Sequence, residues 1–341
     1  MAITLLALLL FLGQGTPPAP GQPMQPGQPA QGPGGAQYGH ASIKKAMLGR
    51  EAEGYWVFEP SEPTPERAPV VVFLHGFAAT NPRIYGGWID HLVRQGRIVL
   101  YPRYQKGLLP RPETFTRSAL AALKEAWREL ESGSHVKPDP ERVAVVGHSV
   151  GGILAANVAA LAAGEGLPVP KAVFAVQPGD ADIGFGGVEL ADLGAIPRGT
   201  LVLALVGDAD SVSGEDAARA IWLGATSVPD ADKDLVMLVS DDHGEPPLVA
   251  NHLAPVATDD RYHEEADYTV APAPKETDAL DYFGTWKLFD GLCAAAFGGE
   301  GRAFALGNTP EQRFMGTWSD GVAVQELVVR DPASNTPVRP Q

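Results

Sequence analysis

The sequence predicts an α/β fold built on a mostly parallel central sheet covered by helices on both faces. Three observations predict it. Short apolar runs without alternation recur at residues 70–74, 143–146, 172–176, 201–206 and 235–239. Such runs suit strands buried on both sides, as parallel strands under two helical layers are. Helical segments separate them, the clearest being residues 114–131, with Ala, Leu and Trp on one side and Lys, Arg and Glu on the other. Finally, His75, Ser149, Asp210 and His243 all follow the carboxyl ends of the apolar runs. Sites of open α/β sheets lie at those ends.

Taken in order, residues 55–58 predict an early strand, and 70–74 a buried strand ending at His75-Gly76-Phe77. A short helix at 88–94 leads to a strand at 98–101 closed by Pro102. The amphipathic helix at 114–131 precedes the strand at 143–146, which runs into Gly147-His148-Ser149-Val150-Gly151-Gly152 and an alanine-rich helix at 153–163. Strands at 172–176 and 201–206 follow, and the short connection between them leaves no room for a large lid. A helix at 215–223, a strand at 235–239 and a long helix at 277–297 complete the expected core. The irregular, Pro-rich stretch 253–276 is long enough to suggest a functional loop, expected to wall the pocket. Phe314, Trp318, Val328 and Val329 suggest that the segment beyond residue 298 packs back on the domain.

Composition narrows the class. The 341 residues are 45% hydrophobic and 20% charged, as expected of a soluble globular domain with a full core. The 26 basic against 41 acidic residues give a net charge of −15, spread along the chain. Such a surface repels phosphate backbones and anionic lipid, so neither nucleic acid nor a membrane surface is an expected partner. The single cysteine, Cys293, forms no intrachain disulfide and excludes a multi-cysteine zinc site. His263 beside Glu264 and Glu265 reads as a solvated loop, because adjacent residues do not converge on one centre. No metal or cofactor is expected.

The ends are read separately. Residues 1–15 carry a ten-residue apolar run, too short to span a bilayer, and predict a signal peptide despite the lack of a basic start. Secretion or a periplasmic location follows, with no stable membrane partner after cleavage. Residues 16–37 are Pro, Gly, Gln and Ala with almost no charge, and predict a disordered linker. The catalytic domain is expected over 38–331, with a flexible tail at 332–341.

The pattern Gly-x-Ser-x-Gly between a strand and a helix is a nucleophile elbow. A serine hydroxyl is a poor nucleophile until a base takes its proton, and the base needs an acid to orient it. The chain offers these groups in the order Ser149, Asp210, His243.

That order and four motifs carry a resemblance. Leu74-His75-Gly76-Phe77, the elbow at 147–152, Gly207-Asp208-Ala209-Asp210-Ser211-Val212 and Val239-Ser240-Asp241-Asp242-His243-Gly244 resemble the α/β-hydrolase superfamily over residues 55–297. Within it, the chain is similar to secreted esterases and lipases, including cutinase-like polyester hydrolases and chlorophyllase-like enzymes. The resemblance implies a serine carboxylic-ester hydrolase acting through an acyl-enzyme on a small-molecule, lipid or polymer ester. It implies an oxyanion hole from the backbone N–H groups of Phe77 and Val150. The family pattern selects Asp210 over Asp208, which is expected to hold a turn.

Two histidines compete as base. His243 has the usual spacing after its strand, and the expectation rests on it. His252, in Asn251-His252-Leu253-Ala254-Pro255, resembles the His-x-Ala-Pro of polyester hydrolases but requires residues 244–250 to be an insertion. His75 and His148 are expected to pack and hydrogen-bond, without a part in proton transfer. Peptidase or thioesterase chemistry, or a non-catalytic binding protein of the same fold, are the alternatives.

Overall fold

Strand residues alternate between two sheet faces, and here both faces are buried. Val71, Phe73, Val99, Tyr101, Ala144 and Val146 pack into one core, while Val70, Val72, Ile98, Leu100, Val143 and Val145 pack into the other. This two-sided burial is why the runs carry no polar alternation. The computed structural model describes residues 21–105, 111–180, 187–263 and 275–331.

The sheet has nine strands: β1 (Ser42–Leu48), β2 (Tyr55–Ser61), β3 (Arg67–Leu74), β4 (Ile98–Pro102), β5 (Lys137–His148), β6 (Ala172–Val176), β7 (Leu201–Gly207), β8 (Lys233–Leu238) and β9 (Val328–Arg330). Their order is β1-β2-β4-β3-β5-β6-β7-β8-β9. The strands from β4 through β8 pair in parallel, while β2 and β9 run antiparallel to their neighbours. Helices α1 (Gly86–Arg94) and α5 (Lys287–Gly298) cover one face. On the other lie α2 (Phe115–Ser132) and α3 (Val150–Leu161), and α4 (Asp216–Gly224) covers β7 and β8. A short α6 (Pro310–Arg313) lies in the C-terminal segment. This is the α/β-hydrolase fold, without a large lid among the described residues. No helix among the described residues is long and apolar enough to cross a membrane.

Three expectations need correction or completion. The helix expected over 277–297 is in two parts, a π-helical stretch Leu280–Trp286 running into α5. Buried Lys287 follows that junction and donates from Nζ to the carbonyls of Gln312, at 2.8 Å, and Phe314, tying the C-terminal segment to the domain. The described part of the expected linker, residues 21–37, is an ordered strap rather than a disordered one. Gly34 N–H donates to Asp290 Oδ2 at 2.8 Å, Met24 N–H to Ser319 Oγ at 2.9 Å, and Glu245 N–H to the Pro23 carbonyl at 3.0 Å. Composition missed this because the strap is held by hydrogen bonds of its backbone and of Gln25 and Gln28 rather than by an apolar core, and prolines leave little conformational entropy to lose.

The stretch 253–276 is described up to residue 263 and again from 275. Its first part docks on α1: Gly87 N–H donates to the Ala257 carbonyl at 2.8 Å, and Ala257 N–H to that of Ile84 at 3.1 Å. The rest of that expected pocket wall, residues 264–274, lies outside the described residues, as do the expected signal peptide at 1–15 and tail at 332–341.

Candidate active site

Four successive parallel strands are each followed, at or shortly after the strand end, by a non-glycine residue at positive φ. Ala78 lies beyond β3 (φ 60°), Tyr104 beyond β4 (φ 37°), Ser149 directly after β5 (φ 57°) and Gln177 directly after β6 (φ 44°). None is glycine, so each stores strain, and such residues cluster where function holds them.

The elbow explains its own glycines. A methyl on Gly147 would run into the Gly151 carbonyl, one on Gly151 into the carbonyls of Leu74 and His75, and one on Gly152 would lie 2.9 Å from Pro178. Strand and helix are thus packed backbone to backbone, and Ser149 is lifted at the turn. Ser149 N–H donates to the Val176 carbonyl at 3.0 Å, which locks the turn onto β6.

His252 Nε2 stands 3.0 Å from Ser149 Oγ, and its Nδ1 stands 3.0 Å from Asp210 Oδ2. The expected base, His243, is elsewhere: its Nε2 pairs with Asp320 Oδ2 at 2.8 Å, and its ring lies beside Trp318. The physical reason is the excursion after β8. Asp241 and Leu248 pair through two backbone hydrogen bonds of 2.8 Å, so residues 242–247 loop out and the chain returns to the strand end before reaching His252.

Asp210, expected as the partner of His243, lies beside His252 instead. Its side chain is fully buried, and Oδ1 accepts from the N–H groups of Val212 at 2.9 Å and Ser213 at 3.1 Å. Burial pushes its carboxyl pKa up, but the His252 ring and these two N–H groups outweigh burial and hold it below the ordinary value. Asp208, expected to hold its own turn, instead ties the ends of β7 and β8 together, accepting from the hydroxyl and the N–H of Ser240 at 2.6 and 3.0 Å.

The His75–Phe77 turn lies over the serine: a methyl on Gly76 would be 3.5 Å from Ser149 Cβ. Val150 opens α3, so its N–H is among the helix-end donors without an intrahelical partner. His75 stacks between Tyr101 and Tyr104, its ring nitrogens facing the carbonyls of Gly76 at 2.7 Å and Arg103 at 2.9 Å. Burial pushes its pKa down to about 4.

Two further residues hold the His252 loop. Gln177 Nε2 donates to the Asn251 carbonyl at 2.8 Å, and His148 Nε2 lies 2.9 Å from the His252 carbonyl. Ser213 Oγ stands 3.4 Å from His252 Nδ1, a longer contact than the one to Asp210. The sequence carried no signal for Gln177 or Ser213 beyond their nearness to strand ends.

Residues 71–193, from β3 to the turn before β7, match a family described as having the alpha/beta hydrolase fold. The matched span contains the His75–Phe77 turn and the elbow, and the sheet order agrees with it. No curated protein matches the chain.

Proposed function

We propose that this protein is a serine hydrolase that cleaves carboxylic esters through a Ser149–His252–Asp210 triad. One observation carries the reading: a single imidazole bridges the elbow serine and a buried carboxylate with 3.0 Å on each side. A carboxylate on Nδ1 fixes the tautomer, leaving Nε2 free to accept the serine proton.

Ser149 Oγ attacks the ester carbonyl carbon as His252 Nε2 takes its proton. The carbonyl oxygen becomes an oxyanion facing the N–H groups of Phe77 and Val150, where each donor is worth a factor of about 10²–10³ in turnover. The intermediate collapses, His252 returns the proton to the leaving alcohol, and the acyl group stays on Ser149. Water then repeats the sequence with His252 as base, releasing the acid. Exposed Val212 and Leu253 directly follow the acid and base segments, which supports a neutral, apolar ester. The acidic surface supports the same preference, since it repels anionic substrates.

Hydrolysis of p-nitrophenyl esters by the wild type, lost in Ser149→Ala with the circular dichroism spectrum unchanged, is the expected result. Retained hydrolysis in Ser149→Ala refutes the assignment. Faster turnover of a peptide or thioester in a parallel panel redirects the substrate class. We also propose export, supported by the apolar run in residues 1–15; amino-terminal sequencing of the mature protein tests it.

A further inference from the structure

We propose that Tyr85 and His148 are positioning residues, forming a hydrogen-bond relay of fixed direction that ties the turn carrying Phe77 to the backbone of His252. The relay rests on the triad reading above and adds to it two residues outside the triad; the His148 ring also packs on that of His252, with centroids 4.8 Å apart.

Gly76 N–H donates to Tyr85 Oη at 3.0 Å. Tyr85 Oη lies 2.8 Å from His148 Nδ1, and His148 Nε2 lies 2.9 Å from the His252 carbonyl oxygen. The direction is forced at both ends. A backbone N–H can only donate, so the Tyr85 oxygen accepts there and spends its own proton on Nδ1. A carbonyl can only accept, so Nε2 carries the ring proton. In the neutral His148 ring the proton on Nε2 leaves Nδ1 as the acceptor of the Tyr85 proton, so one tautomer is selected. Burial, and then the neighbouring His252, push its pKa down to about 3, which keeps that state across the physiological range.

The relay is largely buried: Tyr85 is 1% and His148 3% exposed. Tyr85 is also wedged against Phe73 and Tyr101, which fixes its hydroxyl. Three segments are linked this way. Gly76 precedes the Phe77 donor, His148 precedes Ser149, and the held carbonyl belongs to His252 itself. Donor, nucleophile and base come from chain segments far apart in sequence, and the relay sets their mutual register. An error of about 1 Å in such register costs about 100-fold in rate.

The test uses the full-length chain. Tyr85→Phe keeps the ring and removes the hydroxyl; kcat for p-nitrophenyl butyrate is expected to fall about 10- to 100-fold with KM within about twofold. His148→Gln keeps an N–H that reaches the His252 carbonyl and is expected to retain at least about tenfold more kcat than His148→Ala, measured well below each melting temperature. Nitrogen-15 histidine spectra, independent of any substrate, are expected to show His148 neutral with the proton on Nε2. Three results overturn the relay: wild-type kcat in Tyr85→Phe, equal kcat in the Gln and Ala variants, or a His148 proton on Nδ1. An inert wild type overturns the triad reading as well, whereas an active wild type beside an unimpaired Tyr85→Phe overturns the relay alone.

Discussion

Asp290 offers the sharpest test of what orders the amino-terminal strap. Its carboxylate, in the first turn of α5, is nearly fully buried. Oδ1 accepts from Arg97 Nη1 at 2.9 Å, and Oδ2 accepts from Gly34 N–H at 2.8 Å, Gln95 Nε2 at 3.0 Å and His91 Nε2 at 2.8 Å. Asp290→Asn is nearly isosteric but loses the charge. Its amide nitrogen must also face a donor, whichever way it turns: Arg97 on one side, or Gly34, Gln95 and His91 on the other. Removing one partner of a buried ion pair costs about 3–5 kcal/mol, a large share of a total of about 5–15 kcal/mol.

The pH dependence has a definite sign. Burial alone pushes the Asp290 carboxyl up, but His91, Arg97 and the Gly34 N–H overcome it and hold the pKa well below the ordinary value. A depressed carboxylate contributes stability that is complete above its unfolded pKa of about 3.9 and is lost as pH falls through the folded value. The gap between wild type and Asp290→Asn is therefore expected to be constant near neutrality and to narrow below about pH 4. Urea unfolding at several pH values measures it, and limited proteolysis is expected to cleave residues 21–37 of the variant first. A loss under about 1 kcal/mol at neutral pH, or a gap that widens in acid, refutes the buried-anchor argument.

Other outcomes follow from the site. His252→Ala is expected to lower kcat by about 10⁴–10⁶. His243→Ala removes only a solvent-screened surface ion pair with Asp320 and should leave turnover within about twofold. Steady-state kinetics on the two variants checks both, and the reverse ranking would restore His243 as base. Gly151→Ala drives a methyl into the carbonyls of Leu74 and His75, so a loss of at least about 1–3 kcal/mol is expected by thermal or urea unfolding. An unchanged melting temperature would mean that strand and helix can part at the elbow.

The sequence made the parallel strands legible because both their faces are buried, so Val70 to Leu74 or Ala172 to Val176 read as unbroken apolar runs. The same logic hid the edges. β1 carries Lys44 and Lys45, and β9 is three residues long; both are strands through backbone pairing to a neighbour, which leaves little trace in side-chain pattern. The strap failed for a related reason. Its Pro and Gly residues bury little apolar surface, and the acceptor that anchors it, Asp290, lies 256 positions away from Gly34. Ser149 and Asp210 were legible because each sits within a few residues of a strand end. The positioning role of Tyr85 was not, since its hydroxyl reaches Gly76 and His148 from a turn between two other elements.

The histidine shows what sequence spacing measures. Distance along the chain from β8 favours His243, but catalysis depends on distance in space, and the two part company wherever a loop closes on itself. Here the loop closes at Asp241 and Leu248. Beyond it the chain resumes its place: Ala250 N–H donates to Ser240 Oγ at 3.0 Å, and Ala209 N–H donates to the Ala250 carbonyl at 3.3 Å. Residues 242–247 are thus an ornament on a strand-end turn, reaching out to Asp320 and the strap while His252 stands between Ser149 and Asp210. If that is right, the ornament is removable. Asp241 and Leu248 already stand as an antiparallel pair, so a two-residue Asn-Gly turn can join them in place of residues 242–247. The shortened protein is expected to lose stability through the lost Pro23 and Asp320 contacts yet keep ester kcat within about tenfold. Removing residues 242–250 instead also takes the Ala250 anchor and should abolish turnover. A folded but inactive 242–247 variant would show that the excursion, and not the closure beneath it, sets the position of His252.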